Sequence, residues 1–335
     1  MKIVGTAAAF VLLLFPPLST AQELVGAGAT FPEPLYNKWF MGFAEQHPDF
    51  HIRYEGVGSQ EGIRRLREGQ ADFAASDMPL EDSELAKLPH TVWQLPSAIG
   101  AVVPIYHVEG LVEELRLSPE ALAGIFLGRI QRWNDPAIQS ANRGTGLPAR
   151  EIHVVHRADG SGTTFVWADY LSKVSPQWKS TVGAATSIQW PVGAGATGNE
   201  GVADEVSKTP DSIGYVEFIY ALYKKLSYGA IRNGSGRFVS ADVESITAAA
   251  AGVPSLPANF QISITNAPGR KSYPVAAFTY LLVPQNTGNP AKDSFLREFL
   301  GWALTAGQRQ SQGLGYGSLP PDLAAREQHS LRPLP

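Results

Sequence analysis

From Arg157 the chain reads Arg157-Ala158-Asp159-Gly160-Ser161-Gly162-Thr163-Thr164, which gathers a guanidinium, several hydroxyls and open backbone N–H groups into one short turn. Ile152, Val154 and Val155 before it read as a buried strand, and Val166, Tyr170, Leu171 and Val174 after it recur at helical spacing. The motif therefore stands where a strand feeds a helix, and free N–H groups at a helix start attract anions. Gly160 and Gly162 admit a ligand close to the backbone, and Arg157 offers a planar fork of donors matched to the oxygens of a tetrahedral oxyanion. The same residues also suit a Ser-capped helix beside a surface Arg157–Asp159 pair, so the turn alone leaves both readings open.

Other chemistries fit less well. Ser161 lacks the glycine two residues before it that a nucleophile elbow wants. His153 and His156, three apart on a strand, point to opposite faces, and His47, His51, His90, His107 and His329 suggest no complete ligand set. Gly193-x-Gly195-x-x-Gly198 with Glu217 downstream formally matches a dinucleotide fingerprint, but Pro191 interrupts its strand side, and a close-packed loop near a cleft is the better reading. No Gly-x-x-x-x-Gly-Lys loop occurs, so nucleotide hydrolysis belongs to a partner if anywhere. The tryptophans are spread along the chain and read as packing residues. Arg129, Arg132 and Arg143 read as a solvated charged face, with contact to a partner protein as the alternative.

The positioning elements come from a folded chain of 335 residues, 44% hydrophobic and 17% charged, for which about two domains are expected. Its start, Met1-Lys2-Ile3-Val4 followed by apolar residues to Leu14 and then Ser19-Thr20-Ala21, predicts a secretory leader cleaved after Ala21. Zero cysteines exclude disulfides, thiolate metal sites and a lipid-modified N-terminal cysteine. Loss of Lys2 leaves 26 basic against 31 acidic residues, a charge of −5, so no global basic field recruits nucleic acid. Anion binding must then rest on local geometry.

From Leu24 the pattern runs strand, glycine turn, helix several times over, an α/β signature with parallel sheets. Gly26-Ala27-Gly28-Ala29-Thr30-Phe31-Pro32 is expected to open a helix with Phe31, Leu35 and Trp39 on one face. Ile52-Arg53-Tyr54 reads as a strand, Gly56-Val57-Gly58-Ser59 as a turn, and Ile63 to Leu66 as the start of a helix. Phe73-Ala74-Ala75 predicts a strand delivering Ser76-Asp77 at its carboxyl end, where ligands of open α/β sheets bind. Taken singly, Thr30 and Asp77 read as helix caps and Ser59 as a turn residue. Tyr280 to Val283 predicts a return to the sheet and Phe295 to Leu304 a helix, with a peripheral proline-rich tail from Pro320.

Together, Gly26 to Pro32, Gly56 to Ser59, Ala75-Ser76-Asp77 and Arg157 to Thr163 resemble, in order and spacing, the phosphate-binding subunit of bacterial high-affinity phosphate ABC importers. The similarity extends over Leu127 to Trp133 and Ser212 to Glu217 and so covers nearly the whole chain after the leader. It implies an α/β, two-lobed periplasmic binding protein fold, each lobe a mostly parallel sheet flanked by helices, joined by a hinge. Lobe 1 would comprise residues 22–96 and 274–335, and lobe 2 residues 97–273. Carried over by motif, Thr30 and the backbone N–H of Phe31, Ser59, Asp77, Arg157, Ser161, Gly162 and Thr163 would hold phosphate, and Asp159 would orient Arg157. The resemblance implies no enzyme activity, no metal and no cofactor. It implies an exported periplasmic monomer, not lipid-anchored, whose partners are inorganic phosphate and inner-membrane permease subunits, with their ATPase acting indirectly and no nucleic acid. Gln60, where a second small residue is usual, and Gly193 to Gly198 depart from the commonest pattern.

These residue types suit phosphate, whose second pKa of about 6 to 7 leaves it at least one proton at neutral pH. A carboxylate at Asp77 can accept that proton's hydrogen bond but would face unprotonated sulfate as a like charge, a clash of several kcal/mol or roughly thousandfold in preference. A binder of sulfate or molybdate would need no such acceptor. A secreted phosphatase-like enzyme on the same fold would need a nucleophile or a metal set.

Overall fold

The computed structural model describes residues 22–253, 257 and 259–331. The expected leader through Ala21 lies outside them. Three parallel strands open the chain: β1 (Gln22–Gly28), β2 (Phe50–Gly56) and β3 (Phe73–Ser76), connected by helices α1 (Glu33–Ala44) and α2 (Ser59–Arg67). The long strand β4 (Val92–His107) follows. Next come β5 (His153–Arg157), α3 (Gly162–Val174), the short β6 (Ala194–Ala196), α4 (Gly198–Lys208), β7 (Ser212–Glu217) and α5 (Phe218–Tyr223). The chain then returns as β8 (Ala276–Pro284), α6 (Pro290–Trp302) and α7 (Pro321–Ser330). Across the main sheet the order is β2-β1-β3-β8-β4-β7-β5-β6, with Ser227–Tyr228 beside β4. Three short strands near Leu117, Ile231 and Val239 make a separate small sheet.

β4 joins the two halves of this sheet. Its first part, through Ala101, pairs antiparallel with β8, and from Val102 onward it pairs antiparallel with β7. Both β4 and β8 are near-continuous apolar runs, as strands covered on both faces must be, and every residue of β8 is buried. Pro96 has no N–H to give the ladder, and the register shifts opposite it, between Thr279 and Tyr280. The irregularity leaves Ser97 to hydrogen-bond through its side chain, with Tyr36 Oη at 2.6 Å and Thr279 O at 3.1 Å.

The helices bury the stripes their sequences carry. In α1, Leu35, Tyr36, Trp39, Phe40 and Phe43 are inside, and in α3, Val166, Trp167, Tyr170 and Leu171 are. Three expectations are corrected. Phe31 precedes α1 rather than belonging to it, because the loop from β1 carries its ring against Gly100 of β4. α2 starts at Ser59, four residues before Ile63, since Gly58 supplies the turn. The tail from Pro320 is not peripheral: Pro321 starts α7, which buries Leu323 and Glu327.

Candidate functional site

The carboxyl ends of β1, β2 and β3 converge on the end of β5, and the start of α2 meets the start of α3 head to head. Gln60 N–H donates to Gly160 O at 3.1 Å, and Ser187 Oγ donates to the Gln60 side chain at 3.2 Å. Gln60, the departure noted in the sequence, thus fastens the rim between the two halves. Gly58 sits at φ 89°, and a Cβ there would lie 2.7 Å from Gly160 O. A Cβ at Gly162 would lie 2.3 Å from Ser59 Oγ and 2.5 Å from Asp77 Oδ2. Only glycine permits this approach of α3 to the β1–β3 side.

All nine residues singled out from sequence border this junction or stand directly behind it, and those expected to meet a ligand are buried. Arg157 is 3% exposed, which rules out the surface-pair reading. Its Nε donates to Asp159 Oδ1 at 2.7 Å and its Nη2 to Asp159 Oδ2, while Nη1 is buried without a partner among the described residues. Burial pushes the Asp159 carboxyl up, but the hydrogen bonds and charge of Arg157, with the Gly198 N–H, outweigh it and hold the carboxyl below its ordinary range. Behind Arg157, Tyr215 Oη accepts the Arg157 N–H at 3.1 Å and shares a 2.6 Å hydrogen bond with Thr164 Oγ1. The Tyr215 ring stacks on Trp167, so the core of the β5–β7 half fixes the guanidinium.

The hydroxyls share a pattern. Thr30 Oγ1 and Thr163 Oγ1 accept from Asn199 Nδ2 at 2.8 and 3.2 Å, Ser59 Oγ accepts from Asp77 N–H at 3.3 Å, and Ser161 Oγ caps α3 by accepting from Thr164 N–H at 3.1 Å. Among the described residues none of these hydroxyls donates to the protein. Each oxygen is engaged as an acceptor, so each O–H proton is left to point elsewhere. The first N–H groups of α3, on Gly162 and Thr163, add donors with no intrahelical partner.

Asp77 supplies the opposite polarity. It is 2% exposed, its Oδ1 accepts from Thr279 Oγ1 at 2.7 Å, and its Oδ2 is buried with no partner among the described residues. Burial pushes its carboxyl up to about 7, against the lowering effects of the Thr279 hydrogen bond and the Arg157 charge. Neither Thr30 nor Asp77 is a helix cap: Pro32 precedes α1, and the helix after Asp77 starts only at Asp82.

Sequence reasoning missed Asn199, Thr279, Tyr220 and Tyr316. Tyr220 Oη donates to Thr30 O at 2.7 Å and Tyr316 Oη to Phe31 O at 2.6 Å, holding the loop after β1 from both sides. Thr279 had a signal, the one aliphatic hydroxyl in an apolar strand, and so did Asn199, an amide directly after the glycine run. The tyrosines had none, because aromatics in helices and loops are ordinarily packing residues. The glycine run itself forms the edge strand β6 and the entry to α4, where Gly198 N–H donates to Asp159 Oδ1 at 3.0 Å. Among the described residues no group of three or more His, Asp or Glu could hold a metal ion.

Comparison with known proteins agrees with this architecture. Residues 16–306 match the model of a PBP superfamily domain. The phosphate-binding protein PstS of Xylella fastidiosa strain Temecula1 is 44% identical over 303 residues, covering 90% of this chain and 82% of its own. The PstS of Pasteurella multocida is 41% identical over 316 residues, 94% of this chain and 91% of its own. Among solved structures, a high-affinity periplasmic phosphate-binding protein, PfluDING, bound with phosphate superposes with a TM-score of 0.77 at 22% identity, covering 92% of this chain and 94% of that one. That likeness shows the two-lobed α/β fold. By extent and identity together, the chain belongs to the PBP superfamily and, within it, to the PstS family of phosphate-binding proteins.

Proposed function

We propose that this protein binds inorganic phosphate in the cleft between its two lobes and delivers it to the permease subunits of an ABC importer. The observation that carries the reading is one buried acceptor, Asp77 Oδ2, set among hydroxyls with free protons and the unpartnered Nη1 of Arg157. A ring of donors suits any tetrahedral oxyanion, but the acceptor suits one that still carries a proton. Thr30, the Phe31 N–H, Ser59 and Asp77 would contact the ligand from one side, and Arg157, Ser161, Gly162 and Thr163 from the other, with Asp159 holding Arg157. The Asp77 side chain then selects and the Arg157 charge attracts.

The lobe division near residues 97 and 274 is supported by β4, which exchanges β8 for β7 a few residues after the first boundary, and by β8, which begins just after the second. The reading includes export to the periplasm without a lipid anchor and action as a monomer, a binding role with no covalent chemistry. Among the described residues no helix is long and apolar enough to cross a membrane. The reading is tested by calorimetric titration of the phosphate-stripped protein: one-to-one phosphate binding undisturbed by excess sulfate is expected, and displacement by sulfate would overturn it.

A further inference from the structure

Asn199 joins the two sides of the cleft without being placed among the groups that meet the ligand. It is fully buried at the start of α4, and its Oδ1 accepts the N–H of Glu217 at 2.9 Å. A backbone N–H can only donate, so this bond fixes which end of the amide is oxygen. The Nδ2 end must then face Thr30 Oγ1 at 2.8 Å and Thr163 Oγ1 at 3.2 Å. It has two protons for these two oxygens and no freedom to reverse.

We propose that Asn199 is a positioning residue that orients the hydroxyls of Thr30 and Thr163 as donors toward the bound anion. This rests on the phosphate-binding reading above. A threonine hydroxyl owns one proton and can serve as donor or acceptor as its surroundings require. With Asn199 Nδ2 donating to it, each oxygen meets the protein as an acceptor, and its proton is directed away from the amide, into the cleft. The polarity is relayed from a rigid source: β7 fixes the Glu217 N–H, that N–H fixes the amide, and the amide fixes both hydroxyls. In the closed molecule an anion with oxygens on every side then meets donors turned toward it.

The placement of Thr30 and Thr163 adds a second consequence. Thr30 lies in the loop after β1 and Thr163 in the first turn of α3, on opposite sides of the junction. The bond from Asn199 to Thr30 forms only when the two sides are together, so the arrangement that orients the donors also exists only in the closed molecule. Orientation and closure are thus coupled through one side chain, although Asn199 itself stands behind the threonines.

The test is a double-mutant cycle read by phosphate titration of the full protein. Asn199→Ala is expected to weaken phosphate binding on the order of tenfold or more, the scale of hydrogen bonds lost to a charged ligand. In a Thr30→Val, Thr163→Val background the same change is expected to cost less than about twofold, because no hydroxyl remains to orient. A merely structural amide would cost the same in both backgrounds, and that equality would overturn the proposal. Asn199→Asp keeps the shape, so it covers the case in which the alanine variant does not fold. It puts an acceptor where the donor stood, so both hydroxyls turn inward, and it should bind phosphate more weakly than Asn199→Ala. Wild-type-like affinity in Asn199→Asp would also overturn the proposal. A wild-type protein that takes up no phosphate would instead refute the parent reading, and this inference with it; a wild type that binds while Asn199→Ala binds equally refutes this inference alone.

Discussion

In the proposed reading discrimination turns on Asp77, because every other group expected to meet the ligand offers protons. Its Oδ1 is engaged by Thr279 and its Oδ2 is free to accept. Replacing it with Asn puts a donor amide in reach of any oxyanion, so Asp77→Asn should lower the phosphate-over-sulfate preference by about tenfold or more, measured by competition. The sign of the pH dependence follows from burial, which raises this carboxyl to about 7. Above that value it is ionised and repels sulfate; below it the acid form carries a proton that sulfate can accept. The preference for phosphate should therefore narrow as pH falls through about 7 in the wild type and change little in Asp77→Asn. A flat wild-type profile would show that the charge of Asp77 does not set selectivity. Arg157 shows how a residue's context decides its meaning: the sequence allowed a surface ion pair, and only the packing of Tyr215 and Trp167 behind it makes the pair buried and directional.

At the scale of elements, the strand-to-helix turns were readable because glycine, hydroxyl and apolar periodicity coincide there. Arg157 to Thr163 lies between β5 and the first turn of α3 as the pattern predicts, and Asp77 follows β3 directly. What stayed hidden depended on long-range pairing. Thr279 reaches Asp77 across 202 residues and Asn199 reaches Thr30 across 169, and local periodicity carries no record of such distances. The boundary errors have local causes: Phe31 matched a helical face by spacing although its loop docks it on β4, and α7 was obscured by prolines that start a helix as readily as they end one. The head-to-head approach of α2 and α3 yields its own prediction. A methyl group at Gly162 would collide with Ser59 and with the Asp77 side chain, including its Cβ at 2.8 Å, which cannot swing aside. Gly162→Ala should cut phosphate affinity by about a hundredfold or more, while the ligand-free protein, able to open, melts nearly as before. Wild-type affinity in that variant would mean that the two helix starts do not close on the ligand together.

For the whole molecule, the division of the site explains why binding and shape change belong to one event. In the proposed reading, donors on the β1–β3 side and donors on the β5–β7 side would satisfy one anion only when they are together, which would give phosphate differential affinity for the closed form. Without a ligand, closure buries Asp77 Oδ2 and Arg157 Nη1 with no partner among the described residues, which opposes it. β4 runs from one half into the other and the chain returns just before β8, a connection suited to bending as a hinge. The most direct measurement is small-angle X-ray scattering of the phosphate-stripped protein alone, with saturating phosphate, and with the same concentration of sulfate. The account predicts a smaller radius of gyration with phosphate and an unchanged one with sulfate; identical profiles in all three, or equal contraction with sulfate, would contradict it.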